Sequence, residues 1–152
     1  APRRGIFSRL MKQRMNRRIM QEENMLKTIY QVNETSGDFS RYCSTGEMET
    51  RRTMDNDQRK RILERLTDQG YLSTKQNLWA LTPEGVRRGQ RIVRLHRLWE
   101  LYLTSKVNIA PDHVHDDAET MEHLITPELE AELERQLNYP QRDPHASNIP
   151  SA

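Results

Sequence analysis

The chain has 152 residues, of which 34% are apolar and 30% are charged, and its formal net charge is +2. This length fits one domain or two very small ones, and no apolar run approaches the roughly 20 residues that a membrane-spanning helix needs. The single cysteine, Cys43, excludes an intrachain disulfide and suits a reducing compartment.

The charge is unevenly distributed along the chain. Residues 1–19 contain seven basic residues and no acidic one, whereas residues 20–152 contain the other 17 basic residues and all 22 acidic ones, a formal charge of −5. An acidic body of this kind is a poor general binder of nucleic acid. The chain begins with Ala, which is compatible with tag removal, with initiator processing or with a fragment of a longer polypeptide.

Apolar periodicity predicts helices in the first half of the chain. Residues 5–34 carry apolar residues every three to four positions, and residues 46–53 form a short, very polar helical candidate. Asp55 or Asn56 is expected to cap a further helix that ends at Gly70. The apolar face of that helix comprises Ile62, Leu63 and Leu66.

Residues 71–81 predict a short hairpin with a polar turn at 75–77, followed by Thr82 as an N-cap and Pro83 as the first helical residue. Further helices are expected over 83–105, 111–124 and 127–137, before an irregular, proline-containing tail. Helix, short helix, helix, hairpin and helix is the order of a winged helix-turn-helix. The prediction is therefore a mostly α fold, a winged helix-turn-helix followed by a helical dimerisation half.

Six potential metal ligands lie on two successive predicted helices. Two are four residues apart on the long helix, and four follow an i, i+4, i+7, i+8 pattern on the next, so each set shares one helix face. Imidazole and carboxylate ligands together suit manganese, ferrous iron or zinc. The spacing alone leaves open the alternative that these are solvated charged stripes. The six residues are His96, Glu100, His115, Glu119, Glu122 and His123.

Several of these segments resemble the diphtheria-toxin-repressor and manganese-repressor family. The similar stretches are 81–85 (LTPEG), 94–100 (RLHRLWE), 115–123 (HDDAETMEH) and the terminal 143–150 (DPHASNIP), in which the family usually has Gly at Ala146 and often Pro at Asn148. The resemblance implies a helical metal-binding and dimerisation domain of a regulator. A metallohydrolase is disfavoured, because the candidate ligands lie on two helices with no evident nucleophile, phosphate loop or substrate pocket. We therefore expect neither an enzyme nor a small-molecule substrate.

The same resemblance implies roles for the six candidate ligands. His96, Glu119, Glu122 and His123 match the main metal site of the family, whereas His96, Glu100 and His115 fall on a second site of its iron-responsive branch. One shared site and an adjacent pair both remain open. Glu119 stands where the iron branch has Cys, which favours Mn²⁺ over Fe²⁺, with Zn²⁺ as a further alternative.

The first helix departs from the family pattern. In the manganese branch this helix contributes Asp and Glu to the metal site, and the matching positions here are Asn24 and Lys27. Asn24 offers only a neutral carbonyl oxygen, and Lys27 would repel a cation. The resemblance therefore implies a weakened link between metal binding and the winged-helix half, although Asn24 can equally be a plain polar helix residue.

The predicted helix-turn-helix departs from the pattern as well. Its first helix has Glu49 and Arg52 at positions that should face the core, where only Met48 fits, and its second helix begins with residues 55–57 (DND), whose acids oppose phosphate. The remaining candidates for reading DNA are Gln58, Arg59 and Arg61, for which a solvated scaffold face is the competing interpretation.

The basic arm, residues 1–21, resembles the cytosolic segment that follows a last membrane helix. A known arrangement is similar: a manganese or zinc ABC transporter permease with a repressor-like domain fused to its C-terminus. One hypothesis is therefore a metal-sensing domain on the cytoplasmic side of the inner membrane, with the permease portion of the same polypeptide and a second copy as partners. The other is a cytoplasmic, free-standing repressor that binds promoter DNA. Either hypothesis divides the chain into 1–21 (arm), 22–82 (winged helix-turn-helix), 83–140 (metal-binding and dimerisation domain) and 141–152 (tail).

Overall fold

The computed structural model describes the backbone of residues 2–106, 127–137, 140–141 and 148–150, and most of their side chains from Arg17 onward. The elements are helices α1 (Pro2–Glu34), α2 (Thr45–Arg51) and α3 (Asn56–Asp68), strands β1 (Leu72–Lys75) and β2 (Leu78–Leu81), and helices α4 (Pro83–Lys106) and α5 (Pro127–Gln136). The predicted elements up to residue 106, and the last helix, are confirmed within a few residues. The helix predicted over 111–124 lies outside the described residues.

Local signals in the sequence explain where the short helices begin. Ser44 and Glu47 form a reciprocal capping box at α2, in which Ser44 Oγ accepts from the Glu47 backbone N–H and Glu47 accepts from the Ser44 N–H. The Asp55 side chain caps α3 by accepting from the Gln58 N–H. Gly70, with a φ of +87°, lets the chain leave α3 in a left-handed conformation.

The hairpin pairs Leu72 with Leu81 and Lys75 with Leu78, and its two turn residues, Gln76 and Asn77, both have positive φ. Positive φ at both central residues is the geometry of a two-residue turn that matches the twist of the strands. On the other side of β2, the backbones of Cys43 and Trp79 exchange two hydrogen bonds of 2.8 and 2.9 Å.

The junction of the hairpin and α4 requires a glycine. The Thr82 hydroxyl donates to the Gly70 carbonyl oxygen over 2.6 Å and accepts from the Gly85 N–H over 3.1 Å, which caps α4 as predicted. A Cβ at Gly85 would lie 2.1 Å from the Tyr71 carbonyl oxygen, far closer than two non-bonded heavy atoms can approach. The backbone of α4 at Gly85 therefore packs directly against the backbone at Tyr71, which fixes the hairpin against the start of α4.

The chain divides into two compact units, residues 1–89 and 90–152, and the division falls inside α4. The core of the first unit joins α1, α2, α3 and the hairpin through fully buried residues that include Leu26, Ile29, Met48, Leu63 and Leu66. In the second unit, Leu98 and Trp99 of α4 pack with Leu133 of α5. The four domain boundaries expected from the sequence stay a prediction.

None of the helices among the described residues is both long enough and apolar enough to cross a membrane.

Candidate metal centre and nucleic-acid face

His96 and Glu100 lie one turn apart on α4 and both are buried, with 3% and 2% of their surface exposed. His96 Nε2 is 2.8 Å from Glu100 Oε1, a hydrogen bond between the imidazole and the carboxylate. All nine residues from 92 to 100 are at most 8% exposed, so this stretch of α4 has no solvated face. The interpretation of these two residues as a wet charged stripe therefore does not fit the structure.

Burial of a histidine and a carboxylate has a physical consequence. A carboxylate removed from water is strongly destabilising unless an opposite charge, several hydrogen-bond donors or a metal ion compensates it. The donor set of the pair, one imidazole nitrogen and one carboxylate, matches the chemistry of divalent transition metals. The pair can thus act as part of a metal site.

The other four candidate ligands, His115, Glu119, Glu122 and His123, lie outside the described residues. Within the part of the chain that the structure describes, no three His, Cys, Asp or Glu side chains converge as a metal site would require. The structure accordingly brings together two of the six predicted ligands.

A network of ion pairs, which sequence reasoning missed, holds α4 against α5. Arg94 is 2% exposed and pairs with Glu130 and Glu134 of α5, while Arg91 Nη1 lies 2.8 Å from the second oxygen of Glu130. The i, i+4 spacing of the two glutamates was the available signal. Next to His96, Arg97 donates to the backbone carbonyl of Asn148 and so attaches the C-terminal segment to the same helix.

On α1, the amide oxygen Oδ1 of Asn24 is buried and accepts no hydrogen bond from any residue that the structure describes. An unpaired buried carbonyl oxygen is costly and suits a neutral donor to a cation or a water molecule. Lys27, one turn further on, is 3% exposed. The first helix therefore buries one neutral oxygen and one ammonium at the positions that the resemblance singled out.

The three residues proposed to read DNA differ in their environment. Arg59 is only 4% exposed, and its guanidinium pairs with Glu49 and donates to Asn56 Oδ1 over 2.9 Å and to the Met54 carbonyl oxygen over 3.1 Å. Such a buried, fully engaged guanidinium does not match a base-reading role. Arg61 is exposed and Gln58 is half-buried, so both remain accessible on α3.

The exposed side of α3 is dominated by acids. Lys60 and Arg61 share it with Asp57, Glu64 and Asp68, while the capping residue Asp55 is also exposed. Because phosphate is repelled by carboxylates, this face opposes a nucleic-acid backbone more than it attracts one.

A groove of about 660 Å³ lies between α3 and the hairpin. Leu63 and Trp79 supply its apolar surface, and Asn56, Lys60 and Glu64 are among the polar residues that line it. Its walls are the helix and the wing that a winged-helix protein presents to DNA, so the groove belongs to the candidate nucleic-acid face.

Comparisons with known proteins find similarity to metal-dependent repressors and to a membrane protein of metal transport. Residues 82–151 match the family model described as iron dependent repressor, metal binding and dimerisation domain. The chain is 42% identical over 85 residues to a probable metal transport system membrane protein of Chlamydia trachomatis, which covers 56% of this chain and 19% of that protein. It is also 36% identical over 70 residues to the diphtheria toxin repressor of Corynebacterium glutamicum, covering 46% of this chain and 31% of that protein.

Solved structures resemble a larger part of the chain. A manganese-dependent transcriptional repressor in complex with manganese superposes with a TM-score of 0.74 at 32% identity, covering 86% of this chain and 59% of that one. The manganese regulator SloR superposes with a TM-score of 0.75 at 27% identity over the same shares. The predicted fold class is thereby confirmed, and the matches support the family of metal-dependent repressors. The chain spans about a fifth of the length of the Chlamydia trachomatis protein and of a similarly named protein of Chlamydia pneumoniae.

Proposed function

We propose that this chain is a metal-sensing regulatory domain whose ion is Mn²⁺, with Fe²⁺ and Zn²⁺ as the alternatives. The observation that carries the proposal is the buried pair of His96 and Glu100 on α4, with Nε2 and Oε1 2.8 Å apart. Both side chains are already buried, so neither must be removed from water when an ion binds, and the proton shared by Nε2 and Oε1 is released at that moment.

The proposed ligand set adds His115, Glu119, Glu122 and His123 to this pair. Three carboxylates and three imidazoles, with no thiolate, favour a relatively hard divalent ion over a soft one. The Asn24 oxygen, buried and without a donor among the described residues, is a further neutral donor in the proposal. A bound ion would supply positive charge beside the buried carboxylate of Glu100 and so stabilise it in its ionised form.

We further propose that the regulated protein is a metal-importing permease of which this chain forms the cytoplasmic part. The 42% identity to a protein named as a metal transport system membrane protein supports this. So do the basic arm, which has the composition of a segment near a membrane surface, and the acidic exposed side of α3. A native gene that begins near Ala1 without upstream hydrophobic segments would contradict the proposal.

A free-standing, metal-dependent repressor is the second candidate function. The superposition on a manganese-dependent transcriptional repressor favours it, and Gln58 and Arg61 remain accessible for contacts with promoter DNA. Electrophoretic mobility shifts with promoter duplexes separate the two candidates. Metal-dependent binding that weakens steeply with added salt supports the repressor, since phosphate contacts release counterions; no binding at low salt supports the permease domain.

Two further features belong to the proposal. The chain acts as a homodimer, because the matched family model describes a metal binding and dimerisation domain. The chain is not an enzyme, in keeping with relatives that are named as repressors. Sedimentation of the whole chain as a monomer at micromolar concentration would contradict the first feature, and turnover abolished by His123→Ala would contradict the second.

The metal proposal is tested by anaerobic calorimetric titration of Mn²⁺ into the whole chain. Saturable binding is expected in the wild type, and Glu122→Ala is expected to abolish or greatly weaken it. Glu84→Ala is the matched control, since the Glu84 side chain is 67% exposed and forms an i, i+3 ion pair with Arg87 on α4, outside the proposed ligand set. No binding by the wild type, or equal loss in the control, would overturn the proposal.

A further inference from the structure

One continuous helix, α1, joins the basic arm to the rest of the first compact unit, residues 22–89, which we call the winged-helix unit. The composition changes between Arg18 and Glu22, yet α1 runs from Pro2 to Glu34 across this boundary. Residues 6–34 contain neither Gly nor Pro, so the sequence offers no common cause of a helix kink there. A 33-residue helix is about 50 Å long, roughly twice what the winged-helix unit needs to pack against.

Two consecutive glutamates hold α1 at the point where the arm ends, and we call them the Glu22–Glu23 clamp. The carboxylate of Glu22, whose side chain is 6% exposed, accepts a hydrogen bond from Arg65 Nε of α3 over 3.0 Å. It also lies 3.8 Å from Nε of Arg18 in the arm and within reach of Gln69 Nε2 at 3.4 Å. One carboxylate thus joins the arm, α1 and α3.

The second residue of the clamp faces another element. Glu23 Oε1 accepts from Arg88 Nη2 of α4 over 3.2 Å, and the guanidinium of Arg88 lies over the Tyr71 ring at 4.7 Å. Consecutive residues on a helix point about 100° apart, so the two contacts restrain α1 from two directions.

Below the clamp, packing prevents rotation of α1 about its own axis. All seven residues from 24 to 30 are at most 5% exposed, and seven successive residues cover every side of a helix. Because protein interiors are packed like crystals, turning α1 by even part of a turn would require repacking the whole first unit. A rotation of the arm must therefore rotate the winged-helix unit with it.

We propose that α1 is a rigid lever: whatever anchors residues 2–17 sets the orientation of the winged-helix unit, through the Glu22–Glu23 clamp and the buried stretch that follows. The identity of the anchor, a membrane-embedded portion of the same polypeptide, rests on the proposed function, whereas the rigidity of the lever does not. On this view the arm transmits a conformational change and is not a flexible tether.

The lever is tested by pulsed electron spin resonance distances in the whole chain, with nitroxide labels at Ser8→Cys in the arm and Lys60→Cys on α3. Native Cys43 is fully buried, and burial raises the pKa of its thiol to about 11, so labelling of the introduced cysteines is selective. A single narrow distance distribution is expected. A broad distribution in the wild type would overturn the proposal.

The clamp is tested in the same labelled chain by Glu22→Ala, which should broaden the distribution at least twofold. Glu22→Gln keeps a hydrogen-bond acceptor but removes the charge, so its distribution should have a width between those of the wild type and Glu22→Ala. Glu84→Ala is the matched control, since Glu84 forms only an exposed i, i+3 ion pair with Arg87 on α4 in the ion pairs described here. Unchanged widths in both Glu22 variants would show that the clamp does not restrain the arm.

Insertions after Arg17 test whether the lever is helical throughout. Two inserted alanines rotate the arm by about 200° with a rise of about 3 Å, whereas seven restore the rotational phase with a rise of about 10.5 Å. Each insertion is expected to keep the distance distribution narrow and to shift its mean by a different amount. Unshifted or broadened distributions would contradict a continuous lever. Since neither readout involves metal, failure of the lever and failure of metal sensing are distinguishable.

Discussion

Arg59 on α3 and Arg94 on α4 are both at least nine-tenths buried, and each pairs with a carboxylate from another helix. Their surroundings differ. The partner of Arg59 is Glu49, which is 42% exposed, whereas the main partner of Arg94 is Glu130, only 8% exposed. The winged-helix unit therefore neutralises its buried cation close to the surface, while the second unit buries both members of its central ion pair, Arg94 and Glu130.

This difference bears on function. Reading DNA depends on exposed cations, and α3 uses one of its arginines internally while acids dominate its exposed side. Sensing a metal depends on buried, preorganised ligands, and α4 keeps His96 and Glu100 together with no solvent-exposed residue in the surrounding stretch. These contrasts support the proposed metal-sensing role more than the proposed DNA-reading role.

Arg94→Ala gives the largest expected effect. The substitution leaves Glu130 buried without its closest cation, and breaking a buried pair in this way lowers the free energy of unfolding by about 3–5 kcal/mol. Urea denaturation followed by circular dichroism measures the change. Because Arg91 also pairs with Glu130, it partly compensates the Glu130 charge in this variant, and the loss is expected at the lower end of the range.

Arg87→Ala is the control for this substitution, because the ion pair of Arg87 with Glu84 on α4 is exposed and contributes less than about 1 kcal/mol. Equal losses in the two variants would show that the network around Arg94 is no different from a surface pair. That result would remove the contrast between the two units.

Arg59→Ala is expected to lower the free energy of unfolding by about 1–2 kcal/mol, because the half-exposed Glu49 can be solvated once its partner is removed. The same chemical denaturation measures it. Any DNA binding by the chain should weaken more in Arg61→Ala than in Arg59→Ala, when the two variants are compared at a temperature where both are folded. The reverse order would show that Arg59 leaves its buried site to contact DNA.

The sequence predicted features that local chemistry decides. The caps at Asp55 and Thr82, the hairpin and the start of α4 at Pro83 depend on residues fewer than ten positions apart, so periodicity and capping rules suffice. The apolar face of α3 was predicted for the same reason, since the spacing of its residues along the helix determines it.

Features that depend on tertiary contacts were beyond the reach of those rules. Arg59 precedes Ile62 and Leu63 by three and four positions, so its spacing places it on the buried face, but an arginine is seldom expected there. The Glu22–Glu23 clamp and the Arg94 network join residues 36 to 65 positions apart, and nothing local in the sequence selects those partners. The complete metal site stays a prediction, since four of its residues lie outside the described ones.

Glu47→Ala gives the smallest expected change in the free energy of unfolding. Its dependence on pH tests whether a charge near the surface of the winged-helix unit stabilises the fold. Its hydrogen bond from the Ser44 backbone N–H, and then that from Arg41, hold the pKa of the Glu47 carboxyl below its usual value. A carboxyl with a lowered folded-state pKa stabilises the fold fully above its unfolded pKa of about 4.3, and this contribution is lost as pH falls through the lower folded value. Glu47→Ala should therefore lower the free energy of unfolding by about 0.5–1 kcal/mol at pH 7, the range for a lost helix cap whose partners are partly exposed.

Urea unfolding at pH 7 and at successive values below pH 4 should show the difference in the free energy of unfolding between variant and wild type narrowing as pH falls. In the same series, Arg94→Ala should lower the free energy of unfolding at pH 7 by a much larger amount. A difference between Glu47→Ala and wild type that is constant over this pH range would mean that Glu47 acts through packing and not through its charge.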